Sequence, residues 1–567
     1  MEWIGYLIVI FVVVLIIFIN GALQEKKAYE RFCISLKENF GKKTAEKVSH
    51  AELDRIAIYH AKQKELGRCG EFCLDDITWN DLSMDEIFLQ INATQSSVGE
   101  EYLYHLLRCP RLSEEGREDW DGLVAFFKEH ETERMEIQKR LHRLGKINKI
   151  SLTEVLYFLM DLKRESNALH YVIDAALLLS FCVIFITPGA GVLLFLTVLA
   201  VSVISYFKRR GDISVYFTTF FYILTMLRVS RQIKKLGYET LTPYVKRLEA
   251  LIKRFGNLEK GICVLSAGVH TTSDPLALLM DYVRMLFHVD IIKFNSMLKL
   301  VQERMEEIEQ LREILGRLDA AIAAASYECS LAYACAPELD KASGAVLAVE
   351  EAYHPLVEQP VANSIRARSG ILITGSNASG KSTFLKTTAV CAVLAQTIGI
   401  VPAKSYRGPL FRIYSSMALR DSLLTKESYY IVEIKSLKRI VDAAETETPM
   451  LCFVDEVLRG TNTVERIAAS SHILKSLARP HILCFAATHD IELTGMLEGC
   501  YTSYHFDEEI LQNDVVFSYH LQAGRAETRN AIKLLSIIGY DPSVIAQAEE
   551  TAARFLKTGS WRMEDRK

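Results

Sequence analysis

The chain has 567 residues, half of them hydrophobic and 24% charged, which allows several structural units, each with its own buried core. Its 66 basic and 70 acidic residues leave a net charge of −4, so no global field attracts nucleic acid and any DNA contact must come from a local basic surface. The 12 cysteines are scattered, and the closest pair, Cys69 and Cys73, has no second pair at zinc-ligand spacing, so reduced thiols in a cytosolic environment are expected.

Taken in chain order, the first element is the uncharged run Trp3 to Leu23. As a helix it reaches about 30 Å, the thickness of a hydrocarbon core. Glu2 precedes it where a signal peptide has basic residues, and Lys26, Lys27 and Arg31 follow it. Residues 1–23 therefore read as an uncleaved membrane anchor with its N-terminus outside, followed by a polar helical segment over 24–80.

Residues 81–340 read as an all-α core or lever domain containing a transmembrane hairpin at 171–207. Within it the uncharged run Ala175–Phe207 is broken at Pro188-Gly-Ala-Gly191. Lys163 and Arg164 lie before this run, and Lys208, Arg209 and Arg210 after it, which favours a hairpin returning to the face it left. A buried helical hairpin in a soluble core is the alternative. From Asp281 to Ala325, Met297, Val301, Met305, Ile308, Leu311, Leu315 and Leu318 recur at steps of three and four, predicting one long amphipathic helix. The basic pairs Lys234-Lys235, Lys246-Arg247 and Lys253-Arg254 suit a DNA backbone, lipid headgroups or a solvated helix face equally well.

After Pro337 short β-rich runs alternate with helical stretches, predicting an α/β domain on a largely parallel sheet over 341–556, with a tail at 557–567. Its strongest motif is Gly375-Ser-Asn-Ala-Ser-Gly380-Lys381-Ser382, a G-x4-G-K-S phosphate loop after the apolar run Ile371–Thr374. Such a loop wraps phosphates with backbone N–H groups, here from Gly375, Ser376, Asn377, Ala378, Ser379, Gly380, Lys381, Ser382 and Thr383. Lys381 offsets β/γ charge, and Ser382 offers an oxygen to Mg²⁺. The strand Met450–Val454 ends in Asp455-Glu456, where Asp455 suits Mg²⁺ held through water and Glu456 suits orienting the attacking water. The strand from Cys484 ends in His489, an imidazole placed to sense the γ-phosphate or to bond that water. Lys381, Glu456 and His489 are thus the expected catalytic residues, Ser382 and Asp455 the metal ligands, and ATP with Mg²⁺ the cofactors.

These parts, in this order, resemble the ATPase domain of the MutS family, relatives of the ABC ATPases. The family's TGxNxxGKST loop is matched by Thr374–Thr383 and its VPA element by Val401-Pro402-Ala403. Its S-x-F-x-x-E signature is matched by Ser428–Glu433, its D-E-x-G-R-G-T loop by Asp455–Thr461 and its T-H by Thr488-His489. Tyr430 replaces the usual phenylalanine and Leu458 a glycine. His354-Pro355-Leu356 and Asn363 look like the entry to the domain. Further upstream, Asn92–Gly99 followed by Cys109-Pro110 resembles the start of the family's helical core, and Leu315–Asp319 its close. The resemblance covers roughly residues 80–555. It implies an α/β P-loop ATPase domain of the ABC/MutS type, preceded by the all-α domain with its membrane helices. It also implies a homodimer in which Ser428 of one copy completes the partner's ATP site.

The mismatch-reading wedge of the repair members is missing; Phe506-Asp-Glu508 lies inside the ATPase domain. The chain resembles the small membrane-bound MutS-like proteins of bacteria. The expected function is a Mg-dependent ATPase, multi-pass in the bacterial cell membrane with its ATPase domain cytoplasmic, coupling ATP state to DNA recognised by structure rather than by sequence. The alternative is an ATP-driven membrane switch acting on a protein partner without DNA. A transporter fits poorly, because the segments are few and no ionisable residue lies within the uncharged runs.

Overall fold

Helical periodicity upstream of residue 340 and β-rich runs beyond it give two structural units in the computed structural model. It describes residues 2–44, 48–147, 150–213, 216–256, 282–340, 344–376, 379–417, 429–459, 461–511, 514–525, 532, 535, 539–559 and 561. One unit comprises Met1–Arg68, Leu89–His105 and Glu118–Ser330; the other comprises Cys69–Phe88, Leu106–Arg117 and Leu331–Lys567.

In the first unit every described regular element is a helix. The helix Phe217–Lys234 is buried on nearly all sides, with Phe220, Ile223, Leu224, Met226 and Leu227 at most 1% exposed. The two upstream motifs meet beside this core. Asp319 accepts from Gln95 N at 3.0 Å and from Ser96 Oγ at 2.5 Å. Gly99 faces the same carboxylate so closely that a Cβ there would lie 2.2 Å from Asp319 Oδ2. Gly316, in turn, has room for no Cβ against Val98 O and the Tyr102 side chain. Two stretches more than two hundred residues apart in sequence therefore lock together through one buried carboxylate and two missing side chains. Nearby, Arg312 is buried between Glu101, at 2.7 Å, and Glu309, at 2.6 Å, and also donates to Thr153. Its charge is offset on two sides, as burial of a guanidinium requires.

The long amphipathic helix expected over 281–325 is broken. Val289–Glu303 and Met305–Ser330 are separate helices, because Arg304 leaves helical geometry at φ −130°, and His288, at φ +43°, precedes the first. The apolar stripe nevertheless stays in the core on both sides of the break: Met297, Val301, Ile308, Leu311, Leu315 and Leu318 are all buried. Periodicity reads the buried face, and a single non-helical residue changes that face too little to show in the pattern.

The helix Glu2–Glu38 is continuous, and a helical hairpin follows mid-chain, Ala168–Ile186 and Pro188–Ile213. Proline at the first position of the second helix needs no N–H partner, which sets the turn there. Gly191 lets the two helices touch, since a Cβ would fall 2.6 Å from Ile184 Cα. Ala168–Ile186 and Pro188–Gly211 are long and apolar enough to cross a membrane. Their apolar side chains face outward, with Phe185 77% and Ile186 78% exposed. The first helix starts ahead of the uncharged run and so includes His170 and Asp174.

Among the described residues the second unit has ten strands: β1 (Glu338–Leu339), β2 (Leu347–Ala352), β3 (Asn363–Ala367), β4 (Gly370–Thr374), β5 (Ser405–Gly408), β6 (Arg412–Ser416), β7 (Met450–Asp455), β8 (Ile482–Thr488), β9 (Tyr501–Leu511) and β10 (Asp514–Ala523). The large sheet has the order β10-β9-β4-β8-β7-β6, parallel except for the β9–β10 pair. A smaller sheet has the order β1-β5-β2-β3, its strand β5 following β4 of the large sheet in the chain. β4, β7 and β8 are continuous apolar runs because helices cover both faces of such a sheet, and their side chains are buried almost throughout. The upstream stretch Cys69–Phe88 joins this unit through polar contacts. Thr78 Oγ1 accepts from Ser415 N at 3.1 Å, and the Asp81 carboxylate accepts from Ser415 Oγ at 2.7 Å and Met417 N at 3.0 Å, so the short helix Asp76–Asp81 closes the edge at β6.

Candidate functional site

The parallel register brings the ends of β4, β7 and β8 level, with Thr374 opposite Thr488 and Asp455 opposite Ala487. The loops leaving those ends meet where a ligand binds in open α/β sheets, outside the carboxyl ends of the strands. After β4 the chain turns through Gly375 (φ +147°) and Gly380 (φ +107°), conformations that favour glycine. The helix Lys381–Thr397 starts directly behind the second glycine.

Within the loop, Lys381 Nζ donates to the carbonyls of Gly375, at 2.8 Å, and Ser376, at 2.7 Å. Burial pushes this ammonium below its usual range, against the pull of Asp455 and Glu456. Ser382 Oγ donates to Asp455 Oδ2 at 2.5 Å. Burial raises the Asp455 carboxyl, and the bond from Ser382 opposes that shift. Ser379 is fully buried, and its hydroxyl has no hydrogen-bond partner among the described residues. Asn377 and Ala378 of the loop lie outside the described residues, as does Ser428 of the signature segment. Thr383 sits in the first turn of the helix and lines the neighbouring cavity.

Glu456 follows Asp455 with φ +54°, a strained conformation for a side-chain-bearing residue. His489 Nε2 lies 2.6 Å from its Oε1, and Arg459 Nε bonds its other oxygen. Burial works to raise this carboxyl, but the bonds from His489 and Arg459 outweigh it and hold the group at about 2. The backbone N–H of Arg459 donates at 3.2 Å to Glu433, which closes the signature segment, so that segment touches the same loop. Arg466 forms a bidentate pair with Asp490, directly after His489, at 2.9 and 2.6 Å.

Beside the loop lies a cavity of about 280 Å³, lined among others by His354, Asn363, Gly380, Phe384, Phe506 and Tyr519. Asn363 holds β10 on its rim, donating to Tyr519 O at 2.9 Å and accepting from Leu521 N at 2.7 Å. Burial lowers the His354 imidazole to about 4, so it is neutral near pH 7. In sequence, His354 and Asn363 mark only the domain's entry, and Phe506-Asp-Glu508 carries no assigned role. The structure puts Phe506 in the cavity wall, while Glu508 accepts from Ser376 of the phosphate loop. Their partners lie more than 120 residues away in sequence, so no local pattern marks them. Arg459 was visible as part of a motif, but its contact with Glu456 was not.

The strand ends thus bring a phosphate loop level with an acidic strand end and a histidine strand end, an arrangement that comparison with known families matches. Residues 371–556 match MutS domain V. In the MutS family this domain carries the ATPase site. MutS protein homolog 4 of Homo sapiens is 27% identical over 297 residues, covering 49% of this chain and 31% of its own length. MutS protein homolog 4 of Mus musculus is 27% identical over 297 residues, 49% of this chain and 30% of its own. The chain thus spans about a third of the length of these curated relatives. The likeness supports a MutS-type ATPase domain resting on the strand ends described above.

Proposed function

We propose that this chain binds and hydrolyses ATP at its MutS-type domain, and that it does so as a membrane-anchored homodimer. The observation that carries the reading is the convergence of Lys381, the Ser382–Asp455 pair and the clamped Glu456 at three adjacent strand ends. Ser382 and Asp455 form an all-oxygen donor pair, which suits a hard cation such as Mg²⁺. Held there by Ser382 and Asp455, such an ion would offset charge on the β- and γ-phosphates. Lys381, now bonded to loop carbonyls, turns to the phosphates, and the Ser379 hydroxyl of the same loop has no partner among the described residues. The aromatic cavity beside the loop takes the base, with Phe506 and Tyr519 as its walls.

Glu456 positions the attacking water. In this structure each of its oxygens accepts one contact, from His489 and from Arg459, and a water would use a remaining lone pair on the carboxylate. Ser428, by resemblance, reaches the γ-phosphate bound by a second copy, so that ATP binding closes the pair. The helix Glu2–Glu38 and the exposed apolar hairpin anchor the chain in a bacterial cell membrane, with the ATPase domain on the cytoplasmic side.

Two readings of the output differ in partner. In the first, ATP state governs binding to DNA of a particular structure. In the second, the closing dimer acts on a membrane protein. One observation favours the second: of the basic pairs suited to a DNA backbone, Lys234 and Lys253 pair with Glu249, and Arg254 pairs with Glu307. These acids cancel part of the positive strip. The test is the ATPase rate of the full chain in nanodiscs, across salt, with homoduplex, mismatched and branched DNA, and with Glu456→Gln as the blank. A salt-sensitive rise with one DNA shape supports the DNA reading, and indifference to all DNA supports the membrane partner. A rate that survives Glu456→Gln rules out the proposed site.

A further inference from the structure

Cys69 and Cys73 lie on the loop that leads into the helix Asp76–Asp81, and Cys109 stands between Arg108 and Pro110. The fold brings these separate stretches of the α/β unit together. Cys73 Sγ and Cys109 Sγ are 3.3 Å apart, and the sulfurs of Cys69 and Cys109 lie within 4.8 Å of each other. Cys73 Sγ is also 3.8 Å from the Cys69 carbonyl. None of the three is in a disulfide, and all are half-buried.

The surrounding contacts hold this geometry in place. Leu74 N donates to Arg108 O at 2.8 Å, joining the two strands of chain directly beside the thiols. Arg108 pairs with Asp76 at 2.8 Å and lies over the Trp79 ring at 4.1 Å from its centroid. The segments that carry the sulfurs are thus tied by backbone, ion pair and cation–π contact.

We propose that Cys69, Cys73 and Cys109 bind one zinc-class ion through their sulfurs, as a structural site that clasps the Cys69–Phe88 segment to the α/β unit. With Zn–S bonds of about 2.3 Å, the edge of a tetrahedral thiolate site is about 3.8 Å, about half an ångström longer than the Cys73–Cys109 separation and within the 4.8 Å limit on Cys69–Cys109. Cys109 is the common neighbour of the other two thiols, and soft sulfur donors select such an ion over Mg²⁺ or Ca²⁺. A disulfide would use two of the sulfurs and leave the third beside it, and Cys73 and Cys109 would have to close to about 2.05 Å. The sequence hides the site because its ligands are one C-x3-C pair and a single cysteine far downstream, rather than two pairs.

The experiment uses the full chain, purified in detergent under reducing conditions and analysed for metal by mass spectrometry. About one zinc per chain is expected, and replacement by Co²⁺ should give thiolate-to-cobalt charge-transfer absorption in the near ultraviolet. Cys73→Ser and Cys109→Ser should weaken the metal by roughly tenfold or more, while Cys182→Ser, on the exposed hairpin, should leave it unchanged. ATP binding by each variant checks that it is folded, and the charge-transfer intensity of the unmodified chain reports thiolate ligation even where a variant does not fold. No metal uptake, cobalt bound without charge-transfer bands, or a Cys73–Cys109 disulfide in the purified protein would each overturn the proposal.

Discussion

Glu456 shows how far a single side chain depends on its neighbours. A carboxylate held at about 2 is a weak base, so its part lies in orienting water rather than in removing a proton beforehand. Glu456→Gln should lower turnover roughly 10²- to 10⁴-fold while leaving ATP binding intact, which single-turnover and equilibrium nucleotide-binding measurements separate. Arg459→Ala removes one of the two contacts that depress this group from its ordinary 4.5. The acid limb of the pH–rate profile should then move to higher pH, and an unmoved limb would count against Glu456 as the titrating group. Asp319 is the opposite case. Burial raises it from 3.8 to about 6, against the bonds from Ser96 and Gln95. The folded state therefore holds this proton more tightly than the unfolded chain. Its contribution to stability is fully present below pH 3.8 and is lost as pH rises through about 6. The melting temperature of the unmodified chain minus that of Asp319→Asn should become more positive on acidification from pH 7 to pH 5. A difference that ignores pH would contradict the assignment.

Among the elements, the meeting of Asn92–Gly99 with Leu315–Asp319 sets the tolerance of the helical unit. Both segments were legible as motifs, but their contact was not, because nothing local in either one names its partner. Gly316→Ala places a methyl group against Val98 O and Tyr102, and overpacking of that kind costs about 1–3 kcal/mol. A lower melting temperature for the helical unit, with nucleotide affinity at the α/β unit unchanged, is the expected outcome. The broken helix at Arg304 teaches the same lesson in reverse. Its stripe was read correctly as buried, yet continuity depends on one backbone torsion that side-chain periodicity does not record. The hairpin was visible through length, lack of charge and its Pro188 turn, while its outward-facing side chains appear only in three dimensions.

At the scale of the whole molecule, an anchored dimer makes predictions that neither unit makes alone. Chains lacking both the N-terminal helix and the hairpin helices should shift from the membrane fraction toward the soluble one, as flotation on a density gradient would show. If each ATP site is completed by Ser428 of a second copy, Lys381→Ala and Ser428→Ala are both inactive alone. Their mixture should regain about a quarter of the normal rate, since half of the randomly formed pairs are mixed and each has one intact site of two. No recovery in stably mixed dimers would show that the sites act in isolation or that both must be intact.

The phosphate loop, the acidic strand end and the histidine strand end could be read directly from residues because each is a short run whose chemistry needs fixed spacing. Hydropathy likewise revealed the apolar segments, since solvent preference is a sum over neighbours in the chain. Only the tertiary structure decided that Arg459 and His489 grip Glu456 from two sides, that Phe506 and Tyr519 wall the cavity beside the loop, and that Cys69–Phe88 belongs with the α/β unit. Each of these depends on sheet register and on packing between distant stretches, and the free energy that sets them is spread over the whole core rather than written in any one segment.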